Sequence, residues 1–269
     1  MFSTFTVAFL GLAVSAALAF CTWLASVRQH DVSLVDRTWG PMIALPAVVY
    51  AALLPTPVPA RVTAVLALAL AWAVRLAVHV TVRNWGHGED RRYQEIRKRN
   101  QPNFSMKSLY LVFALQAVLA WVVSGPLYAA AIGSAALDWL DWLGMAVAGF
   151  GIVFETVADW QLTRFVNDPA HKGQVLDSGL WHYSRHPNYF GEVCTWWGLF
   201  LVALAATGAA GLWCIVSPVI MTFMLLKVSG VSLLEKDIGE RRPKYKDYVD
   251  RTPAFIPWFP KAPKRSDDA

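Results

Sequence analysis

Apolar residues dominate this chain in long runs rather than in the half-buried stripes of a water-soluble fold. Seven runs stand out: Phe5–Leu24, Pro41–Leu54, Val62–Val82, Leu109–Ala131, Trp139–Leu162, Phe190–Ala206 and Leu212–Val231. A helix of about 20 apolar residues crosses a bilayer, so the pattern predicts an all-α integral membrane protein with about seven transmembrane helices. The second run is short and holds Pro41 and Pro46, which predicts a tilted, kinked or partly inserted helix. Ala17-Leu18-Ala19 looks like a signal cleavage site. Met1–Thr4 carries no basic side chain, however, so the first run is read as a membrane helix and not as a cleaved signal.

The polar segments between the runs are not alike. Basic residues number two in Ala25–Gly40, seven in Arg83–Ser108, three in Thr163–Tyr189 and nine from Glu235 onward. Of the 24 Lys and Arg, only Arg61, Arg75 and Lys227 lie elsewhere, and Arg61 alone sits in an alternate connection. Basic loops stay cytoplasmic, so the N-terminus is expected outside and the C-terminus in the cytoplasm. Residues 1–260 then read as one seven-helix membrane domain, with 261–269 a polar tail.

Composition agrees. The chain is 56% hydrophobic and 16% charged, with mean hydropathy +0.39. Soluble domains carry about 25% charged residues, so a disordered chain, a collagen-like fibre and a cytosolic globule are excluded. The net charge of +5 is accounted for by topology and gives no reason to expect nucleic acid. Cys21, Cys194 and Cys214 form no CxxC spacing, hence no disulfide framework and no zinc site.

Candidate chemistry is concentrated in Gly179–Glu192 (Gly-Leu-Trp-His-Tyr-Ser-Arg-His-Pro-Asn-Tyr-Phe-Gly-Glu), running into Trp196-Trp197. Pro187 disfavours helical geometry at His186, so a helix should begin at Pro187 or Asn188. Its N-terminus beside Arg185 and His186 suits an anion. Glu192 lies four residues after Asn188, on the same helix face, at a depth where a carboxylate is expensive unless partnered. The plain alternative is an interfacial loop anchored by Trp and Arg. His182 and His186 are four apart, but without HExxH or further histidine clusters no metal site is expected.

Four more groups follow. Glu155 and Asp159 are one turn apart in the fifth run with Arg164 beyond, while Arg75 sits in the third run two turns before Arg83. Structural ion pairing explains them most simply, although acids and arginines on one leaflet also suit a nucleotide's ribose and phosphates. The loop Arg83–Tyr93 contains Glu89, Asp90 and Tyr93, which the positive-inside rule leaves unexplained, and the Gln94–Asn100 run reads as a solvated helix face. Asp31–Trp39 brings Asp36 and Arg37 just before the second run. The segment from Glu235 through Tyr245, Tyr248 and Arg251 to Pro257 suits stacking on a flat ring or lining the interface. No GxGxxG, Walker A or GxSxG is present.

Together these residues resemble the membrane steroid 5α-reductase superfamily (3-oxo-5-alpha-steroid 4-dehydrogenase-like), in particular its bacterial DUF1295-type branch. The resemblance spans about Asp36 to Pro260. Its most specific stretch is Tyr183-Ser-Arg-His-Pro-Asn-Tyr-Phe-Gly-Glu192. Asp36…Trp39-Gly40, Trp72…Arg75, Glu155…Asp159, Gly230-Val-Ser-Leu-Leu-Glu235 and Tyr245…Tyr248…Ile256-Pro257 support it. It implies a seven-helix reductase that holds NADPH in the cytoplasmic half and passes hydride to the β-carbon of an enone. The substrate would be lipid-soluble, a 3-oxo-4-ene steroid or another lipid enone. On that model Asn188, Tyr189 and Glu192 lie near the nicotinamide, and Asp159 and Arg164 near the ribose and phosphates. Arg75, Arg83, Tyr183, Arg185 and His186 belong to the same cofactor-binding set. Glu235, Tyr245, Tyr248 and Arg251 close over the adenine side.

Hydride addition builds negative charge on the ketone oxygen, so an acid must donate there. Animal 5α-reductases place a Gln-Glu pair before the second helix and a Tyr in the third. Here those positions read Val35-Asp36-Arg37 and Trp72. Asp36 is the expected acid, Tyr93 the second candidate, and Glu192 the third catalytic group. The expected partners are a lipid-soluble small molecule and membrane lipid, with no obligate protein, in a bacterial inner membrane. The alternative is an S-adenosylmethionine-dependent methyltransferase of the isoprenylcysteine or phospholipid type, which shares the Arg-His-Pro-x-Tyr stretch. Arg75, Arg83, Arg164 and Arg185 favour NADPH, because S-adenosylmethionine has no phosphate to bind. A transporter would predict a repeat and midplane polar groups, and neither is evident.

Overall fold

A computed structural model describes residues 2–228 and 244–261, and every apolar run is helical as far as it is described. The helices are α1 (Thr4–Gln29), α2 (Leu34–Leu53), α3 (Pro59–Arg83), α4 (Arg91–Arg99), α5 (Phe104–Ser108), α6 (Leu115–Val123) and α7 (Gly125–Ile132), then α8 (Trp139–Asn167), α9 (Leu180–Tyr183), α10 (Pro187–Thr207), α11 (Val216–Phe223) and α12 (Lys244–Arg251). A π-helical turn, Leu109–Ala114, joins α5 to α6, and a 3₁₀ stretch, Gly208–Ile215, joins α10 to α11. No strand occurs among the described residues.

Five segments are long and apolar enough to cross a membrane: Thr4–Gln29, Pro59–Arg83, Phe104–Ile132, Trp139–Asn167 and Pro187–Lys227. The last has 41 residues. As one straight helix it would be about 60 Å long, twice the hydrocarbon thickness, and the 3₁₀ stretch interrupts it. Helix α2 has 20 residues, but its first turn carries Asp36 and Arg37.

Two compact units are formed, Met1–Ala146 with Gly198–Pro218, and Val147–Trp197 with Val219–Ala269. In the first, α2 packs against α1, α3, α6 and α7. Both prolines lie inside α2. Pro46 has no N–H for the Met42 carbonyl, and the buried Ser15 hydroxyl of α1 donates to that oxygen at 2.7 Å instead. One turn on, buried Tyr50 fills the space over Gly11, where a Cβ would lie 2.5 Å from its hydroxyl. Gly40 lets α2 approach the backbone of Ala73 on α3, where a Cβ would lie 3.0 Å away.

The same unit contains a closed ion pair. Arg61 in the first turn of α3 donates to Asp141 through Nε (2.6 Å) and Nη2 (2.8 Å), and both side chains are fully buried. Its remaining N–H groups reach the carbonyls of Ala135 (2.9 Å) and Ala136 (3.2 Å). Asp141 also accepts the Asp138 N–H at 3.1 Å.

In the second unit α8 and α10 meet backbone to backbone. A Cβ on Gly151 would stand 2.5 Å from the Gly191 carbonyl oxygen, and one on Gly191 would stand 2.6 Å from the Glu155 nitrogen. Small residues permit this approach, and it brings the polar faces of the two helices together.

Candidate functional site

Each unit contains its own cluster of candidate residues. In the first, Asp36 occupies the first turn of α2, and Asp90 caps α4 by accepting the Arg92 N–H at 2.8 Å. That cap places Arg92 and Tyr93 over Asp36. Arg92 Nη2 donates to Asp36 Oδ2 at 2.8 Å, and the Tyr93 hydroxyl donates to Asp36 Oδ1 at 2.6 Å. The two candidate acids are therefore hydrogen-bonded to each other. Gln116 Nε2, from α6, donates to the Tyr93 oxygen at 3.2 Å.

Burial, and then the Asp36 charge, push the Tyr93 phenol well above its usual value. With two donors on its oxygens, Asp36 acts as the acceptor and Tyr93 as the proton-bearing member. About a fifth of the Asp36 side-chain surface and a third of that of Arg92 remain accessible.

The neighbouring acids have structural work. Glu89 receives Arg97 Nε and Nη2 at 2.8 and 2.7 Å and the Val32 N–H at 2.9 Å, tying the loop before α4 to the turn before α2. Burial raises the Glu89 carboxyl, but Arg97 and the Val32 N–H outweigh it and hold it below the ordinary value. Arg75 is half-buried on α3, and Arg83 is exposed, with its Nε on Asn84 Oδ1 at 3.1 Å.

In the second unit Glu155, Asp159 and Glu192 are all buried. Asn188 Nδ2 donates to Asp159 Oδ1 at 3.0 Å, while the buried Asn188 Oδ1 has no partner among the described residues. His186 and Tyr189 stack with ring centroids 5.4 Å apart and planes 1° apart. Among the described residues no group of three potential metal ligands is assembled.

Local sequence explains the loop that leads here. Gly179 adopts φ +60°, and a Cβ there would strike the Gln161 amide, whose Oε1 accepts the Leu180 N–H at 2.9 Å. Trp181 Nε1 donates to the Ala158 carbonyl at 2.9 Å. The Ser184 hydroxyl accepts the His186 N–H at 3.1 Å, and α10 begins at Pro187 as the sequence predicts.

The segment from α12 to Lys261 is strapped across this loop. Arg185 N–H donates to the Pro253 carbonyl at 2.9 Å, Ser184 Oγ to that of Phe255 at 2.8 Å, and Trp258 N–H to that of Tyr183 at 2.9 Å. Arg185 Nη1 reaches the carbonyls of Val249 (2.7 Å) and Thr252 (3.3 Å), at the end of α12. Arg251 pairs with Asp177, which also faces His182 at 3.2 Å. The Tyr248 hydroxyl donates to the Trp181 carbonyl, and burial pushes its phenol up. Tyr245 lies beside it, with centroids 5.6 Å apart. Tyr183 is partly exposed and meets Phe259 edge-on, and Arg164 is exposed over the Trp160 ring. Glu235 lies outside the described residues.

Sequence reasoning passes over Gln116, Arg92 and Asp177. Gln116 carries a readable signal as the only amide in the apolar stretch Leu109–Val123. Arg92 is one of seven basic residues in its segment, and nothing local marks it out.

The family model described as "Protein of unknown function (DUF1295)" matches residues 22–252. An uncharacterized protein of Schizosaccharomyces pombe (strain 972 / ATCC 24843) is 26% identical over 281 residues, covering 92% of this chain and 78% of that protein. No solved structure matches the chain significantly.

Proposed function

The chain belongs to the DUF1295 family, and from that premise we propose that it is an NADPH-dependent membrane reductase that saturates the C=C bond of an enone in a lipid-soluble substrate. A 3-oxo-4-ene steroid is the first substrate to test. The reading includes seven crossings, with the N-terminus outside and the C-terminus in the cytoplasm of a bacterial inner membrane. Two facts support the number of crossings. Helix α2, at about 30 Å, is long enough to span, and Pro187–Lys227 is long enough for two crossings divided at its 3₁₀ stretch.

The observation that carries the reading is the Tyr93–Asp36 hydrogen bond. Reduction of an enone ends with a proton delivered to the developing enolate, so it requires an acid that is still protonated at neutral pH. Tyr93 has that character; its hydroxyl rests on Asp36, which Arg92 holds, and turns from that oxygen to the substrate when the proton is delivered. Methyl transfer to a thiol or amine instead ends with loss of a proton and has no use for such a donor.

The residues of the second unit fit the cofactor. Asn188 Oδ1 is a buried acceptor with no partner among the described residues, which a carboxamide N–H would satisfy. The His186–Tyr189 stack offers a flat face. When bound, NADPH supplies hydride to the β-carbon. Asn188 and Tyr189 would orient its nicotinamide end, with Asp159 fixing the Asn188 amide and Glu155 and Glu192 buried on the same two helices. Tyr245 and Tyr248 would lie on the adenine side, and Arg164 is this unit's candidate for phosphate.

One observation favours the methyltransferase reading. Arg185 Nη1 is taken by carbonyls and Arg251 by Asp177, which leaves fewer cations for phosphates. Thermal denaturation of the purified protein with each cofactor decides between the two. A ligand at a hundred times its Kd adds about 2.7 kcal/mol of stability. NADPH is expected to raise the midpoint while S-adenosylmethionine leaves it unchanged, and the reverse result sinks the reductase.

A further inference from the structure

An amide inside an apolar helix is expensive unless its hydrogen bonds are made, so the placement of Gln116 calls for a reason. Its Nε2 reaches the Tyr93 oxygen at 3.2 Å, the same oxygen that donates to Asp36. The π turn Leu109–Ala114 ends two residues before it. Such a turn admits one extra residue, rotates every following side chain by about 100°, and recurs at functional sites.

We infer that Gln116 is a positioning residue for Tyr93, holding the phenol oxygen in place while the hydroxyl turns from Asp36 to the substrate and supporting the negative charge that remains when the proton leaves. This rests on the reductase reading for its purpose, though the hydrogen bond itself does not. A phenol has one proton and two lone pairs. With its proton hydrogen-bonded to Asp36 Oδ1 and the Gln116 N–H filling a lone pair, the phenol oxygen is held from two elements at rest. The charged groups around it are Asp36 from α2 and Arg92 from α4, with the charges of Asp90 and Arg83 acting on Asp36. Within this set Gln116 is the neutral donor, so it eases ionisation of Tyr93 without competing for Asp36.

The test is a ¹⁹F NMR titration of the full-length protein in nanodiscs with 2,3-difluorotyrosine at every tyrosine. The Tyr93 resonance is identified by its loss in Tyr93→Phe. In Gln116→Leu that resonance should shift, and its titration should move up by roughly half a pH unit, as expected for one lost hydrogen bond. Gln116→Glu, with no N–H to offer, should move it further in the same direction. If Gln116→Leu does not fold, Gln116→Met keeps the volume and removes the donor. An unmoved Tyr93 resonance and titration in these variants overturns the inference.

Turnover adds a separate readout. If the wild type reduces an enone with NADPH, Gln116→Leu should lower kcat about five-fold at unchanged KM and carry the alkaline limb of the pH profile upward. A wild type without any turnover refutes the reductase reading, and the ¹⁹F result still decides the role of Gln116.

Discussion

Two carboxylate–guanidinium pairs lie in the same unit, and they are built to opposite ends. Asp141 and Arg61 are fully buried, and Arg61 places its donors on both carboxylate oxygens and two carbonyls. Asp36 and Arg92 keep part of their surface accessible, and one Asp36 oxygen is given over to a phenol proton. Arg61 stands in the first turn of α3, and Arg83, whose charge acts on Asp36, closes its last. A fully buried pair whose donors and acceptors are nearly all engaged can only hold helices together. A pair that shares a labile proton with a third group, and remains reachable, can do chemistry. Proximity of opposite charges does not separate the two cases. What separates them is how completely the donors and acceptors are used.

Breaking the closed pair should give the largest effect. Arg61→Leu leaves Asp141 buried and uncompensated, which costs about 3–5 kcal/mol, while replacing both partners by apolar residues is close to neutral. The single variant should therefore lose most of its folded yield or melt far below the wild type. Arg61→Met with Asp141→Leu should recover most of that loss in the same melting experiment. If the single variant melts within about 1 °C of the wild type, this pair is not the structural clamp that its geometry describes.

Next comes the open pair. Tyr93→Phe removes the proton and little volume, so enone reduction should fall about a hundred-fold or more, as for other lost general acids. The melting midpoint should fall by several degrees as Asp36 Oδ1 and the Gln116 amide lose a partner, far less than for Arg61→Leu. Asp36→Asn keeps a neutral acceptor for the phenol but releases Arg92, and should lower the rate less than Tyr93→Phe does. Steady-state rates of the two variants against the wild type decide the order. If Asp36→Asn is dead and Tyr93→Phe active, Asp36 is the proton donor after all, and the roles assigned within the pair are reversed.

The chain itself announces some of this and conceals the rest for identifiable reasons. The start of α10 is legible because Pro187 restricts its predecessor and is preorganised for a first helical turn. The continuity of α2 through Pro41 and Pro46 is not legible, since the hydroxyl that satisfies the Met42 carbonyl comes from Ser15, 27 residues earlier. Loop counting makes Arg61 a lone charge on the sparse side, because its partner Asp141 is 80 residues away in an apolar run. Arg185 reads as an anion ligand from its place before Pro187, yet its Nη1 goes to carbonyls more than 60 residues downstream. Asp36 and Tyr93 are each recognisable as chemical candidates. Their direct bond spans 57 residues, and Gln116 joins from a third element. Periodicity and motif spacing identify which polar residues are out of place in an apolar chain. Which of them pair is decided by packing between distant segments.

Between the two extremes stands Glu89, whose carboxylate is filled by Arg97 and the Val32 N–H but whose Arg97 partner is a quarter exposed. It should behave as a weaker form of the closed pair, and pH exposes the difference. Its carboxyl is held below the ordinary value of 4.5, so its stabilisation is present above about pH 4.5 and disappears as the pH falls through its folded-state value. Glu89→Gln should therefore melt roughly 2 °C below the wild type at pH 7, and the gap should close by pH 3. Raising the salt at pH 7 should narrow it in part, since Arg97 is open to screening. A gap that is the same at pH 3 and pH 7 would mean that the Glu89 contacts act through shape and hydrogen bonding alone. Glu89 would then belong with neither pair, and charge would play no part in fastening the loop before α4 to the turn before α2.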